Sequence, residues 1–143
     1  MGIERLATVI KAFRVKLPKQ VALLTNDVAQ TVIYIAAAHT PVDTTKAISN
    51  WQVGLGNAPN TELAARVPGN RGSTYSASLA QVHAEARERL VNRTVGTEIH
   101  IVNNAPYIES LNDGTISQQP GSFVQKAIFA GKRKVKTQKL KIF

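Results

Sequence analysis

The chain has 143 residues, 43 % of them hydrophobic, with 18 Lys+Arg against 9 Asp+Glu for a net charge of +9, and no cysteine. That length fits one domain with an ordinary core, and the lack of cysteine excludes disulfides, thiolate metal sites and cysteine nucleophiles. No uninterrupted apolar run approaches the ~20 residues of a membrane span, and Glu4, Lys11, Arg14 and Lys16 break up any signal-peptide layout, so no membrane partner is expected.

In chain order, Ile3, Leu6, Ile10 and Phe13 recur at helical spacing over residues 3–16. Pro18 then ends or kinks that helix, or opens the next one. Val21, Leu24, Val28, Val32 and Ile35 predict the clearest helix, residues 19–39, which stops near His39 because Thr40 precedes Pro41. Asp43 is an N-cap or Asx-turn residue for a short turn through Lys46. Trp51, Val53 and Leu55 alternate with Gln52 and Gly54, the pattern of a half-buried strand near 47–55. Residues 56–73, GNAPNTELAARVPGNRGS, read as a long exposed loop with at most one helical turn at 62–66.

Ser78 and Gln81 fit a capping box opening a helix over 78–93. Leu79, Ala86 and Leu90 mark its inner stripe, Glu85 and Arg89 its wet face, and Gly96 its stop. TEIHIV, residues 97–102, alternates as a second strand with Ile99 and Ile101 on one face. Residues 106–111 form a short helix closed by Asn112-Asp113-Gly114. Residues 122–130 form a last helix with Phe123 and Ala127 inward and Ile128 as a further candidate. The expected fold is α+β: a small antiparallel sheet packed against two or three helices, with a long exposed loop and an extended basic C-terminal arm. Residues 1–131 make the domain. The arm, 132–143, holds six basic residues and no acid, and without it the balance falls to +3.

Chemistry-bearing residues do not converge. His39, His83 and His100 lack a second histidine or carboxylate at metal-ligand spacing. GLGN at 54–57 lacks the third glycine of a dinucleotide fingerprint, and GNRGS at 69–73 lacks the lysine of a P-loop. Glu85 and Glu88 share their helix with Arg87 and Arg89 and read as salt-bridged surface groups rather than an acid/base pair. No enzyme, cofactor or metal is expected.

TPVDTTKAISNW at 40–51, VNNAPYIESLNDGT at 102–115 and QPGSFVQKAI at 119–128, in that order, resemble the neck or tail-completion proteins of long-tailed bacteriophages. These are small head-to-tail connectors, also described as minor tail proteins. The likeness covers residues 40–51 and 99–128. The family pattern has glycine where this chain has Thr45, so a positive φ is not expected there. The resemblance implies a structural virion protein of the neck, assembled in the host cytoplasm as a ring of six or twelve identical subunits. Its partners would be copies of itself, head-completion proteins, the tail terminator or tail-tube protein, and genomic double-stranded DNA in the lumen. It assigns shape and interface roles to Pro41, Asp43, Trp51, Asn103, Asn104, Pro106, Tyr107, Gly114, Pro120, Gly121 and Phe123. A tail terminator capping the tail tube is the alternative within the same particle. A stand-alone nucleic-acid-binding protein using the basic tail is the alternative outside it.

The loop at 56–73 is expected to be mobile in the free protein and to order on assembly, with Arg66 and Arg71 facing DNA or an acidic neighbour. For the arm two roles stand. It is a strap onto a neighbouring subunit, anchored by Leu140, Ile142 and Phe143, or Lys132, Arg133, Lys134, Lys136, Lys139 and Lys141 form an electrostatic lining around DNA.

Overall fold

The structure, a computed structural model, describes residues 2–41, 45–69, 72–114 and 121–138. Asp43, Arg71, Pro120, Lys139 and Lys141 lie outside them. The elements are α1 (Gly2–Ala38), α2 (Lys46–Ser49), β1 (Trp51–Leu55), α3 (Tyr75–Val91), β2 (Ile99–Asn103), α4 (Ile108–Asp113) and α5 (Phe123–Thr137). β1 and β2 pair antiparallel, with Trp51 opposite Asn103 and Leu55 opposite Ile99. A two-stranded ribbon this short is not stable alone; here it is packed against helices, so the fold is α+β as expected.

α1 is one helix where two were open as a reading. Pro18 lies inside it. The carbonyl that its missing amide leaves free belongs to Arg14, an exposed position. The buried face also differs from the expected valine stripe. Ala29, Ile33, Ala36 and Ala37 are in the core, Val28, Val32 and Ile35 flank it, and Val21 is 45 % exposed. Small residues line the core face because α3 and α5 both approach it closely. A Cβ on Gly131 of α5 would lie 2.7 Å from Val32 Cγ2, closer than packed atoms sit.

Within α1, Lys16–Ala38 is by length and composition apolar enough to cross a membrane, with a mean hydropathy of 1.4. Counting uninterrupted runs misses it, because Lys19, Asn26, Asp27 and Gln30 are scattered through it. The same stretch supplies the core face, and its polar side chains serve packing. Asn26 Nδ2 donates to Leu90 O at 3.0 Å and Gln30 Nε2 to His83 O at 3.2 Å, tying α1 to α3.

Three further boundaries move. Residues 47–49, expected as the start of a strand near 47–55, belong instead to the helical turn α2. α3 begins at Tyr75, so Ser78 is an interior residue, fully buried, and its hydroxyl has no partner among the described residues rather than closing a capping box. α5 continues seven residues past Ala130, so residues 132–137 are helical rather than the start of an extended arm. In α5, Phe123, Ala127 and Gly131 face inward while Ile128 is 48 % exposed.

Candidate functional site

The three stretches that carry the resemblance fold onto one another around Trp51. This residue opens β1 at 6 % exposure. Its indole Nε1 donates to Thr40 Oγ1 at 2.9 Å, and that hydroxyl donates to Ala36 O at 2.6 Å. The indole meets the Phe123 ring edge-on, centroids 6.2 Å apart, a favourable aromatic geometry. Asn103, opposite Trp51 in the ladder, donates from Nδ2 to Ala47 O at 2.7 Å and accepts the Ala105 N–H at 3.0 Å. That Asx-turn ends β2 and leads the chain through the exposed Pro106 into α4. Pro41 follows Thr40, half-buried.

α4 is bounded by Tyr107, half-buried at its N-cap, and Gly114 at its C-cap with φ 75°, the left-handed conformation in which glycine carries no penalty. The α4–α5 connection closes on Asn112. Its backbone O accepts the Ser122 N–H at 2.6 Å and its Oδ1 accepts the Val124 N–H at 3.0 Å, which supplies an amide partner at the first turn of α5. Gly121 lies so close to the Asn112 carbonyl that a Cβ there has no room. Thr40 and Asn112 were not singled out from sequence. An Asn before Asp-Gly is a turn signal, but its service to a helix ten residues on is a tertiary fact.

Thr45 corrects the sequence expectation. It adopts φ 67°, ψ 1° at 1 % exposure, where a β-branched residue is strained. Its Oγ1 donates to Val67 O at 2.9 Å, and Thr74 Oγ1 donates to the same carbonyl at 2.6 Å. Val67 is thereby fixed from both sides.

The described part of the long loop is bonded to the body by side chains outside it. Asn50, fully buried, clasps Leu63 at both backbone groups: its Oδ1 accepts Leu63 N–H at 2.7 Å and its Nδ2 donates to Leu63 O at 2.8 Å. Gln52 Nε2 donates to Thr61 O at 3.0 Å, and Asn104 Nδ2 to Pro59 O at 3.0 Å. No helical turn forms at 62–66. Carboxamide side chains of the sheet region satisfy the loop's backbone in place of secondary structure.

Arg66 is likewise tied inward and is not a free contact for DNA or a neighbour. Its guanidinium pairs with Glu85, and Nε donates to Ser49 O at 3.1 Å. Its side chain is 14 % exposed. Burial, and secondarily Arg89, lower its pKa from the ordinary arginine value.

Exposed cations sit elsewhere. Lys126, Lys132, Arg133 and Lys136 are exposed on α5, while Lys134 is half-buried beside Asp27 and Thr31 of α1. The Arg133 guanidinium lies 6.0 Å from the Phe129 ring centroid. Phe123 at the start of α5 meets the Trp51 indole that bonds Thr40, just past the end of α1, and Gly131 further on faces Val28 and Val32, so α5 runs antiparallel to α1, toward its Arg5, Lys11, Arg14, Lys16 and Lys19. The two helices together carry ten basic and two acidic residues, +8 of the chain's +9. Among the described residues they also carry six of the eight large hydrophobics left exposed: Val21, Leu23, Tyr34, Ile128, Phe129 and Val135. The body outside them is close to neutral, so the charge asymmetry is not confined to the last twelve residues.

Among the described residues no group of three His, Asp or Glu is placed to hold a metal. His83 Nδ1 lies 3.1 Å from Gln30 Nε2, and its ring packs edge-on to Tyr34. What the arrangement offers is a rigid body and a basic, partly apolar helical face. Comparison with known proteins finds no matching family model, no similar curated protein and no similar solved structure.

Proposed function

We propose that this chain is a structural protein of the neck of a long-tailed bacteriophage, a ring-forming connector between the head-completion proteins and the tail, with double-stranded DNA passing through the ring. The observation that carries the reading is the convergence of its three motif stretches on one frame. Thr40, Trp51, Asn103, Asn112, Gly121 and Phe123 interlock through indole, carboxamide and backbone contacts. A motif set used wholly for shape is what an assembly subunit requires. The left-handed Thr45 supports the same reading, because the resembled pattern places glycine at that position.

The exposed apolar residues on α1 and α5 would be covered by neighbouring copies, and the basic charge of the same helices would face DNA phosphates. The charge concentration also supports a second reading, a nucleic-acid-binding protein that works alone. The two readings differ in oligomeric state. Electron microscopy of the purified chain, and of the intact particle decorated with an antibody to it, tests both. A ring at the head–tail junction is expected. A chain that stays monomeric and is missing from that junction sinks the neck reading.

A further inference from the structure

Beside Trp51 lies an open groove of about 350 Å³. It is lined by the apolar Trp51, Ile101, Ile108 and Val124, by Asn103 and Asn112, and by the carboxylates of Glu109 and Asp113. These two carboxylates are exposed, four residues apart on α4, and neither is in an ion pair among the described residues. A largely apolar lining beside two acids that have no ion pair among the described residues fits a segment with apolar side chains on one side and two cations on the other.

We propose that the groove receives residues 139–143, Lys-Leu-Lys-Ile-Phe, of a second copy of this chain. In an extended segment Leu140 and Ile142 project to one side and Lys139 and Lys141 to the other. Two residues of extended chain span about 7 Å, close to the ~6 Å between positions four apart on a helix, so both lysines meet both carboxylates at once. β2, which contributes Ile101, pairs only with β1 among the described strands. An extended guest therefore also finds a strand edge.

Reach decides that the guest comes from another copy. The groove lies at Val124, the start of α5, and the segment leaves from Gln138 at the far end. Those fourteen residues of helix span about 21 Å. Five residues pulled straight back cover at most about 18 Å, so a chain's own segment brings no more than its last side chain to the groove. Donor segment and acceptor groove are thus different surfaces, and such heterologous contacts close into rings or run on as filaments. Only that last consequence rests on the neck reading; the docking itself does not.

Trp51 is the sole tryptophan, so its fluorescence reports the groove. A synthetic peptide of residues 137–143 is titrated into the diluted full-length chain. A saturable change is expected, weakened about tenfold by Glu109→Lys with Asp113→Lys and recovered with a peptide carrying Lys139→Glu and Lys141→Glu. No Trp51 response, or binding indifferent to the two carboxylates, overturns the proposal and would leave the groove to residues 115–120 or an unrelated partner. In the intact chain, either pair of reversals should lower the assembly mass, and all four together should restore it. Rings that form equally well in every variant overturn the docking and leave the neck reading standing. Peptide binding of the expected kind without rings does the reverse.

Discussion

The indole N–H of Trp51 and the hydroxyl of Thr40 form one continuous relay, Trp51 Nε1 to Thr40 Oγ1 to Ala36 O. It joins the first residue of the sheet to the last turn of α1, and Thr40 is 2 % exposed. Thr40→Val keeps the shape and removes both bonds, leaving a buried N–H without a partner. A loss of about 1–3 kcal/mol is expected, read from urea denaturation followed at Trp51. A variant as stable as the native chain would show that the relay contributes nothing.

Thr45 makes a second, ordered prediction. Its left-handed backbone costs about 1–2 kcal/mol in a non-glycine residue, and its hydroxyl bond to Val67 returns about 1 kcal/mol. Thr45→Val keeps the strain and loses the bond. Thr45→Gly loses both. The glycine variant should therefore stay within about 1 kcal/mol of native, and the valine variant should be clearly the weaker. Chemical denaturation ranks them, and valine equal to or above glycine would rule out the strain.

His83 ties stability to pH. Burial, and secondarily Arg87, lower its pKa below the ordinary histidine value, and its Nδ1 faces the Gln30 amide beside Tyr34. The unfolded chain therefore takes up this proton first. The stability this site provides is complete above about pH 6.5, falls as pH drops below that, and levels off once pH is under the folded value. His83→Gln should flatten this part of the profile. An unchanged difference in stability between native and variant at pH 7.5 and 5.5 would refute the linkage.

What could be read from the sequence follows from how local each signal is. The packing of Ile99 and Ile101 against the core, the closure of α4 by Gly114 and the burial of Trp51 and Phe123 depend on neighbours in the chain, and they hold, although β2 is half-buried along its whole length. The inner face of α1 was not legible, because between Val21 and Ala38 the helix is apolar on nearly every side and periodicity selects no face. Glycine and proline content marked residues 56–69 as loop but said nothing of Asn50, Gln52 and Asn104, which hold it from distant positions. Arg66 looked free in sequence because Glu85 and the Ser49 carbonyl reach it only through the fold.

The charge on α1 and α5 gives the last prediction. Lys126, Lys132, Arg133 and Lys136 are exposed on α5, which packs on α1 at Val28 and Val32 and runs toward its basic N-terminal half. Replacing these four with glutamine removes no buried contact, so the fold and the 139–143 segment should be untouched. If the face binds DNA phosphates, log K for a short duplex falls with log salt by about 0.9 per phosphate neutralised. The variant should then lose up to about 3–4 units of that slope, and Lys11, Arg14, Lys16 and Lys19 changed together should lower it further. Arg66→Gln is the contrast: it strips Glu85 of its buried partner, so it should lower the denaturation midpoint and leave the slope alone. A salt slope unmoved by the α5 changes would mean that the helical pair does not face DNA and that its charge serves contact with acidic protein.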